Sequence, residues 1–297
     1  MARIYFRVLC VSFSLLLSTQ IGLARAKQNA SSGAEQSGEG TATTELPFRL
    51  LDGYLIVVEG RIGGLEHLRF GLDTGATTSV LRATLANPEL RRRTRRVVNL
   101  DRVLNEEVVD VPDFQLGPIR ISSLPMMLNT LEYFGPGATT VDGVIGLDVL
   151  RLESLTIDFA RKRILLGQAR PLHFSVPLEI NPSYISVEVR SNDRPLRLLV
   201  DTGVRFILLY RDRVGDRIPK MEVVRTIAVN SLGGPASMNL VQLPPVRLGQ
   251  RDVDRRAVIS DRSPRGFLPD IDGYLSLHSL YARVCSISWE EGTLSWE

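Results

Sequence analysis

Cysteine is almost missing from this chain: Cys10 and Cys285 are the only two among 297 residues. Cys10 lies in an N-terminal stretch that reads as an export signal, so a processed chain keeps Cys285 alone and can form no internal disulfide. The setting Val284-Cys285-Ser286-Ile287 is that of a buried strand residue rather than a nucleophile. Histidine is equally sparse. His67, His173 and His278 are scattered without metal-ligand spacing, and no metal or organic cofactor is expected. There is no Gly-x-Ser-x-Gly elbow, which argues against a serine hydrolase. Gly135-Pro136-Gly137 has no helix pattern after it and reads as a turn, not a phosphate loop. Beyond residue 26 no apolar run is long enough to span a bilayer.

The N-terminus carries its own signals. Arg3 and Arg7 precede an apolar run from Val8 to about Ala24, and Ala24-Arg25-Ala26 is a small-x-small cleavage pattern. Residues 1–26 are therefore expected to be a signal peptide and the protein to be exported, periplasmic or secreted. The alternative is an uncleaved segment that anchors the protein to a membrane. This segment holds three Arg and no acid, so its removal takes the net charge from +3 to zero. A neutral chain has no global pull toward phosphate, and no nucleic-acid partner is expected. Arg91-Arg92-Arg93-Thr94-Arg95-Arg96 is the one dense basic run and reads as a solvated surface segment. Residues 27–45 are small and polar, the composition of a linker, with ordered structure expected from about Leu46.

What the remainder has is a repeat. Tyr54-Leu-Ile-Val-Val-Glu leads to Asp73-Thr74-Gly75, and Tyr184-Ile-Ser-Val-Glu-Val leads to Asp201-Thr202-Gly203, over 19 and 17 residues. Val141-Asp142-Gly143-Val144-Ile145-Gly146 faces Ile271-Asp272-Gly273-Tyr274-Leu275-Ser276, with 69 residues from Asp73 to Asp142 and 71 from Asp201 to Asp272. Ile157-Asp158-Phe159 then matches Ile287-Ser288-Trp289. Residues 54–59, 67–72, 96–100, 106–111, 184–189, 196–200, 223–229 and 238–243 read as strands. Short helices are expected at about 147–152 and 277–282. The fold class is all-β, with two lobes at 46–170 and 171–297 joined near residues 168–180.

Each Asp-Thr-Gly follows an apolar strand directly. A carboxylate there is costly unless it is paired or hydrogen-bonded. Glycine two residues on permits a tight loop, and the threonine hydroxyl can lock it. One such tripeptide is an ordinary turn; two at matching places in a repeat are a specific signal. With the hydrophobic-hydrophobic-glycine motif Val144-Ile145-Gly146, this pattern resembles the retropepsin and pepsin group of aspartic peptidases over roughly residues 46–297. The lobes are about retropepsin-sized, like a fused retropepsin dimer whose lobes are related by a pseudo-twofold axis. The resemblance implies that Asp73 and Asp201 form the catalytic pair, that Thr74 and Thr202 interlock the loops, and that Gly75 and Gly203 are the loop glycines. It implies an endopeptidase, monomeric because both lobes share one chain, that cleaves a peptide or protein substrate in the inter-lobe cleft. Two carboxylates about 3 Å apart cannot both ionise cheaply, so they share a proton, and the ionised one activates water.

The second lobe departs from the group. Thr77 matches a position whose hydroxyl bonds the outer oxygen of the catalytic carboxylate; Arg205 stands at the equivalent place. Arg205 either points to solvent or steadies ionised Asp201, leaving the shared proton on Asp73. The second-motif segment Tyr274-Leu275-Ser276 has serine where glycine is expected. These departures leave open a catalytically weak or inactive module that binds extended peptides. Hairpins at 96–111, turning near Asp101-Arg102, and 225–243, turning near Gly233-Gly234, are either flaps over the cleft or ordinary edge hairpins. Asp142 and Asp272 are expected to be turn acids without a catalytic part.

Overall fold

The computed structural model describes residues 44–100, 102–132, 141–167, 169–218, 220–231 and 234–297. The expected signal peptide and nearly all of the linker lie outside them, as does Gly135-Pro136-Gly137. Strands dominate, and the α-helices among the described residues are the single turns Leu147–Leu150 and Arg211–Val214. The helix expected at 277–282 is a 3-10 turn, Leu277–Leu280, stopped by Tyr281 in the left-handed region at φ 51°.

Each lobe is built around a strand that slots between two others. In the first lobe, Leu65–Leu72 runs parallel to Gly143–Ile145, which pairs antiparallel with Val80–Arg82 on its other side. In the second, Arg194–Asp201 runs parallel to Gly273–Ser276, which pairs antiparallel with Ile207–Tyr210. The Asp-Thr-Gly loop thus leaves one strand and returns on another, with the second motif between them. This fit tolerates no side chain at the contact. A Cβ on Gly143 would stand 2.5 Å from the Val80 carbonyl oxygen, and one on Gly273 1.9 Å from that of Leu208.

Asp142 and Asp272 fix these slots. The Asp142 carboxylate accepts from the Arg69 amide and Nε at 2.9 and 3.1 Å. That of Asp272 accepts from the Arg197 amide at 2.9 Å and from Arg217 Nη1 at 2.8 Å. Both acids thus tie the second motif to the strand that carries the triplet.

The lobes meet in a third sheet that the sequence did not disclose. Its order is Thr44–Pro47, Arg163–Leu166, Leu155–Asp158, Val284–Ser288, Thr293–Trp296, Phe174–Pro177, three strands from each half. Ile157 pairs with Cys285 and Thr156 with Ser286, whose hydroxyls lie 2.8 Å apart at the centre. The repeat landmarks Ile157-Asp158-Phe159 and Ile287-Ser288-Trp289 fall here. Thr44 and Glu45, expected in the linker, belong to the first strand because they pair with Leu166 and Leu165. The expected joint between the lobes likewise contains a sheet strand, Phe174–Pro177. Cys285 is fully buried at this seam, and burial pushes its thiol up to about 12. Trp289 ties the seam to the first lobe: its indole N–H donates to the Glu153 carbonyl at 2.8 Å.

Candidate active site

The strands Leu65–Leu72 and Arg194–Asp201 deliver Asp73 and Asp201 to the junction of the lobes, both fully buried. Asp73 Oδ1 accepts from the amides of Gly75 and Ala76 at 2.8 and 3.1 Å, and Asp201 Oδ1 accepts from the amide of Gly203 at 2.6 Å. Each carboxylate lies against the glycine of the opposite loop. A Cβ on Gly75 would meet Asp201 Oδ2 at 2.4 Å, and one on Gly203 would meet Asp73 Oδ2 at 2.6 Å. The two loops therefore present their acids to one another, and glycine is what permits the approach.

Thr74 and Thr202 lock this arrangement reciprocally. The Thr74 amide donates to Thr202 Oγ1 at 3.0 Å and the Thr202 amide to Thr74 Oγ1 at 3.1 Å. Each hydroxyl then donates across the junction, Thr74 to the Val200 carbonyl and Thr202 to that of Leu72, both at 2.8 Å. Four buried bonds exhaust both hydroxyl protons and hold the loops in one register.

The remaining site residues differ between the lobes. Thr77 was expected to bond the outer oxygen of Asp73. Its single hydroxyl proton goes instead to the Ser183 carbonyl, at 3.0 Å across the junction. Ile145 is buried in the second motif, and its carbonyl accepts from the Asp73 amide at 3.0 Å. Val144 is buried beside it, and Gly146 packs where a Cβ would stand 2.8 Å from the Ala76 carbonyl oxygen. In the second lobe Tyr274 and Leu275 are buried likewise. Ser276 turns its departure into a bond: its hydroxyl donates to the Val204 carbonyl at 2.6 Å. The Arg205 guanidinium lies over the ring of Phe206, 5.5 Å from its centroid.

Three supporting features escaped the sequence reading. Asp148 receives the amide and hydroxyl of Ser79 at 2.8 and 2.6 Å, while Ser79 Oγ accepts from the Gly146 amide at 3.0 Å. Burial raises the Asp148 carboxyl to about 6, against the pull of the Ser79 bonds. The second feature is His278, whose Nε2–H donates to the Tyr54 carbonyl at 2.8 Å across the junction. Burial, and after it the charge of Arg205, depress its pKa. The third is the meeting of the two hairpins.

Arg93–Val98 pairs with Val103–Leu116, and Glu222–Ser231 with Gly234–Gln242. The first hairpin's outer strand takes in much of the basic run, where Arg92 pairs with Glu107 at 2.7 Å. Asp101 and Gly233, in the expected turns, lie outside the described residues. The hairpins touch near their tips, where Asn99 Nδ2 donates to Ser231 Oγ at 3.1 Å, and the first is also held by Tyr210 of the strand Ile207–Tyr210, whose hydroxyl donates to the Leu100 carbonyl at 2.8 Å. Val97 packs in a cluster with Ala76, and Val98 and Leu100 pack in another with Val204, the residues that follow the two triplets. The first hairpin therefore reaches over both loops. Among the described residues no group of three or more His, Cys, Asp or Glu could hold a metal ion.

An aspartyl protease family model matches the chain twice, over residues 58–149 and 187–277, one match for each lobe. The two matches span more than half the chain, and the protein belongs to the aspartyl protease family. Among solved structures, the crystal structure of basic 7S globulin from soybean is similar at 11% identity and a TM-score of 0.45, covering 86% of this chain and 94% of that one. No curated protein sequence matches the chain.

Proposed function

We propose that the protein is an aspartic endopeptidase in which Asp73 and Asp201 act as one catalytic pair. The observation that carries this reading is the reciprocal placement of each carboxylate against the other loop's glycine, locked by the Thr74 and Thr202 bonds. Two facing acids sealed from water cannot both carry charge cheaply, so the pair holds one proton and titrates as a unit. The ionised member takes a proton from a water, which attacks the peptide carbonyl. The protonated member donates to the oxygen that gains charge. Arg205 stands four residues beyond Asp201. Its charge favours ionisation on that side and leaves the shared proton on Asp73. No step requires a cofactor.

The substrate is an extended segment of peptide or protein lying between the lobes beneath the two hairpins. Such segments are held by strand-like backbone bonds and side-chain pockets. Because the acids are fully buried with the tips together, substrate enters when the tips part. The protein works as a monomer outside the cytoplasm, exported by residues 1–26, or held at a membrane if that segment is retained.

Peptide-library cleavage by the processed protein between pH 3 and 8 tests this reading. Asp73→Asn and Asp201→Asn should each abolish turnover, and Arg205→Thr should raise the acidic limb of the pH profile by about half a unit to one unit. Turnover that survives both Asn substitutions removes the mechanism. If the wild type binds peptides but cleaves none, the chain is a peptide-binding module on the same fold.

A further inference from the structure

The tip of the first hairpin carries a residue that a tip rarely carries. Exposed loop tips ordinarily bear small or polar residues. Here a turn closed by the Asn99 amide on the Arg102 carbonyl, at 2.8 Å, bears Leu100, which is 1% exposed. Leu100 is buried in the other lobe. With Val98 it joins an apolar cluster whose remaining buried members, among the described residues, all come from the second lobe. The cluster starts at the second catalytic loop: it includes Val204, directly after Asp201-Thr202-Gly203, and Phe206.

The near-repetition of the two halves makes each a control for the other at this wall. Strand register matches Tyr210 with Arg82 and Tyr274 with Val144, and the count from each triplet matches Phe206 with Thr78. Arg82 is bound to Asp142 and the Val141 carbonyl. The second lobe presents rings instead. Tyr210 lies 4.9 Å from Phe267 and 6.4 Å from Tyr274, centroid to centroid, and Phe267 lies 5.9 Å from Tyr274. An aromatic wall at a catalytic loop suits a large apolar side chain. Leu100 is such a side chain, supplied by the protein itself.

Burying one leucine favours the closed tip by about tenfold to a hundredfold. Closure also has a flaw. The one hydroxyl proton of Ser231 goes to the Gly234 carbonyl at 3.2 Å, so its oxygen accepts from Asn99 Nδ2. That bond orients the amide, and among the described residues nothing donates to Asn99 Oδ1, although Asn99 is buried. A buried acceptor without a donor opposes closure by about fivefold or more. The tip is held, but within reach of displacement, and both acids are fully buried while it is held.

We propose that the first hairpin's tip is an internal occupant of the second lobe's aromatic wall, so that the protein rests in a latent form and a peptide with a large apolar side chain releases it by taking the place of Leu100. The proposal rests on the peptidase reading for its effect on turnover, but displacement of the tip can be measured without turnover.

The test has two arms. In the first, kcat/KM is measured on a peptide from the cleavage library. Leu100→Ala should raise it by about tenfold and Val98→Ala by about threefold, because each loosens the closed tip. An unchanged or lower kcat/KM in both variants overturns the latch, since an ordinary lid weakened at its tip loses activity. In the second arm, hydrogen exchange at residues 97–104 is followed in the Asp73→Asn variant. The probes are capped octapeptides of alanine and serine that carry one Phe at successive positions. A Phe peptide at saturation should quicken exchange there by about tenfold, and the parent peptide without Phe should not. Slower exchange with bound Phe peptide overturns release by displacement. Displacement of the tip without turnover in wild type or Leu100→Ala leaves the self-occupied wall standing and removes the peptidase. Absence of any peptide binding and any turnover removes both.

Discussion

At the scale of single residues, the site depends on hydroxyl protons. Thr202 satisfies the buried Thr74 amide and Leu72 carbonyl at once. Thr202→Ala orphans both groups and should cost about 3 kcal/mol, read by urea unfolding, together with most of the activity. Thr202→Ser keeps the hydroxyl and should recover the larger part of both losses. A Ser variant as weak as the Ala variant would show that packing of the methyl group, not the bond, secures the loop. Asp148 is a second such residue. Its folded carboxyl titrates near 6 rather than at the usual 3.8 because it is buried. Between those values the folded state binds more protons than the unfolded chain, so stability falls as pH rises from about 4 through 6 and levels off above. Asp148→Asn should flatten this fall, which amounts to about 1–3 kcal/mol, or a few degrees in Tm by scanning fluorimetry. Equal pH dependence in the two proteins counts against the assignment.

The pair Asp73 and Asp201 was legible in the sequence because a duplicated tripeptide after two apolar strands is visible without knowing any contact. Asp148 was not. Its match in the second half is His278, and Ser79, its partner, faces Ile207, so a reading built on what the halves share passes over it. Thr77 was misread for a related reason: which carbonyl a hydroxyl reaches is settled by the opposite lobe, far along the chain.

At the scale of elements, the hairpins are the parts that must move. Leu100 at the tip of the first is pinned to the second lobe by the Tyr210 hydroxyl, a bond buried in an apolar cluster. Tyr210→Phe removes it at a cost of about 1 kcal/mol, which is roughly a fivefold rise in the open population. Hydrogen exchange at residues 97–104 should quicken by that factor, while amides in the six-stranded sheet keep their rates. If the two regions accelerate together, the tip opens only with global unfolding. The hairpin strands were legible from their Val and Ile content. The contact between their tips was not, because Asn99 and Ser231 meet across 132 residues.

At the scale of the whole molecule, the lobes were legible and the sheet that joins them was not. The strands Thr44–Pro47 and Phe174–Pro177 are four residues long and sit in stretches that read as linker. They become strands only because Arg163–Leu166 and Thr293–Trp296 offer them an edge. The same sheet shows how a duplicated chain holds its two acids opposite one another: the halves join through backbone pairing at Leu155–Asp158 and Val284–Ser288, which fixes register residue by residue.

A covalent link between the halves is then needed for delivery, not for cohesion. Two polypeptides produced by interrupting the chain within residues 169–173 should find one another, co-purify as a stoichiometric pair and regain whatever turnover the intact protein has. Fragments that remain apart, or associate without cooperative melting, would mean that the tether and not the seam sets the register. In that light the molecule is a dimer written into a single gene product, with its self-recognition code still in place.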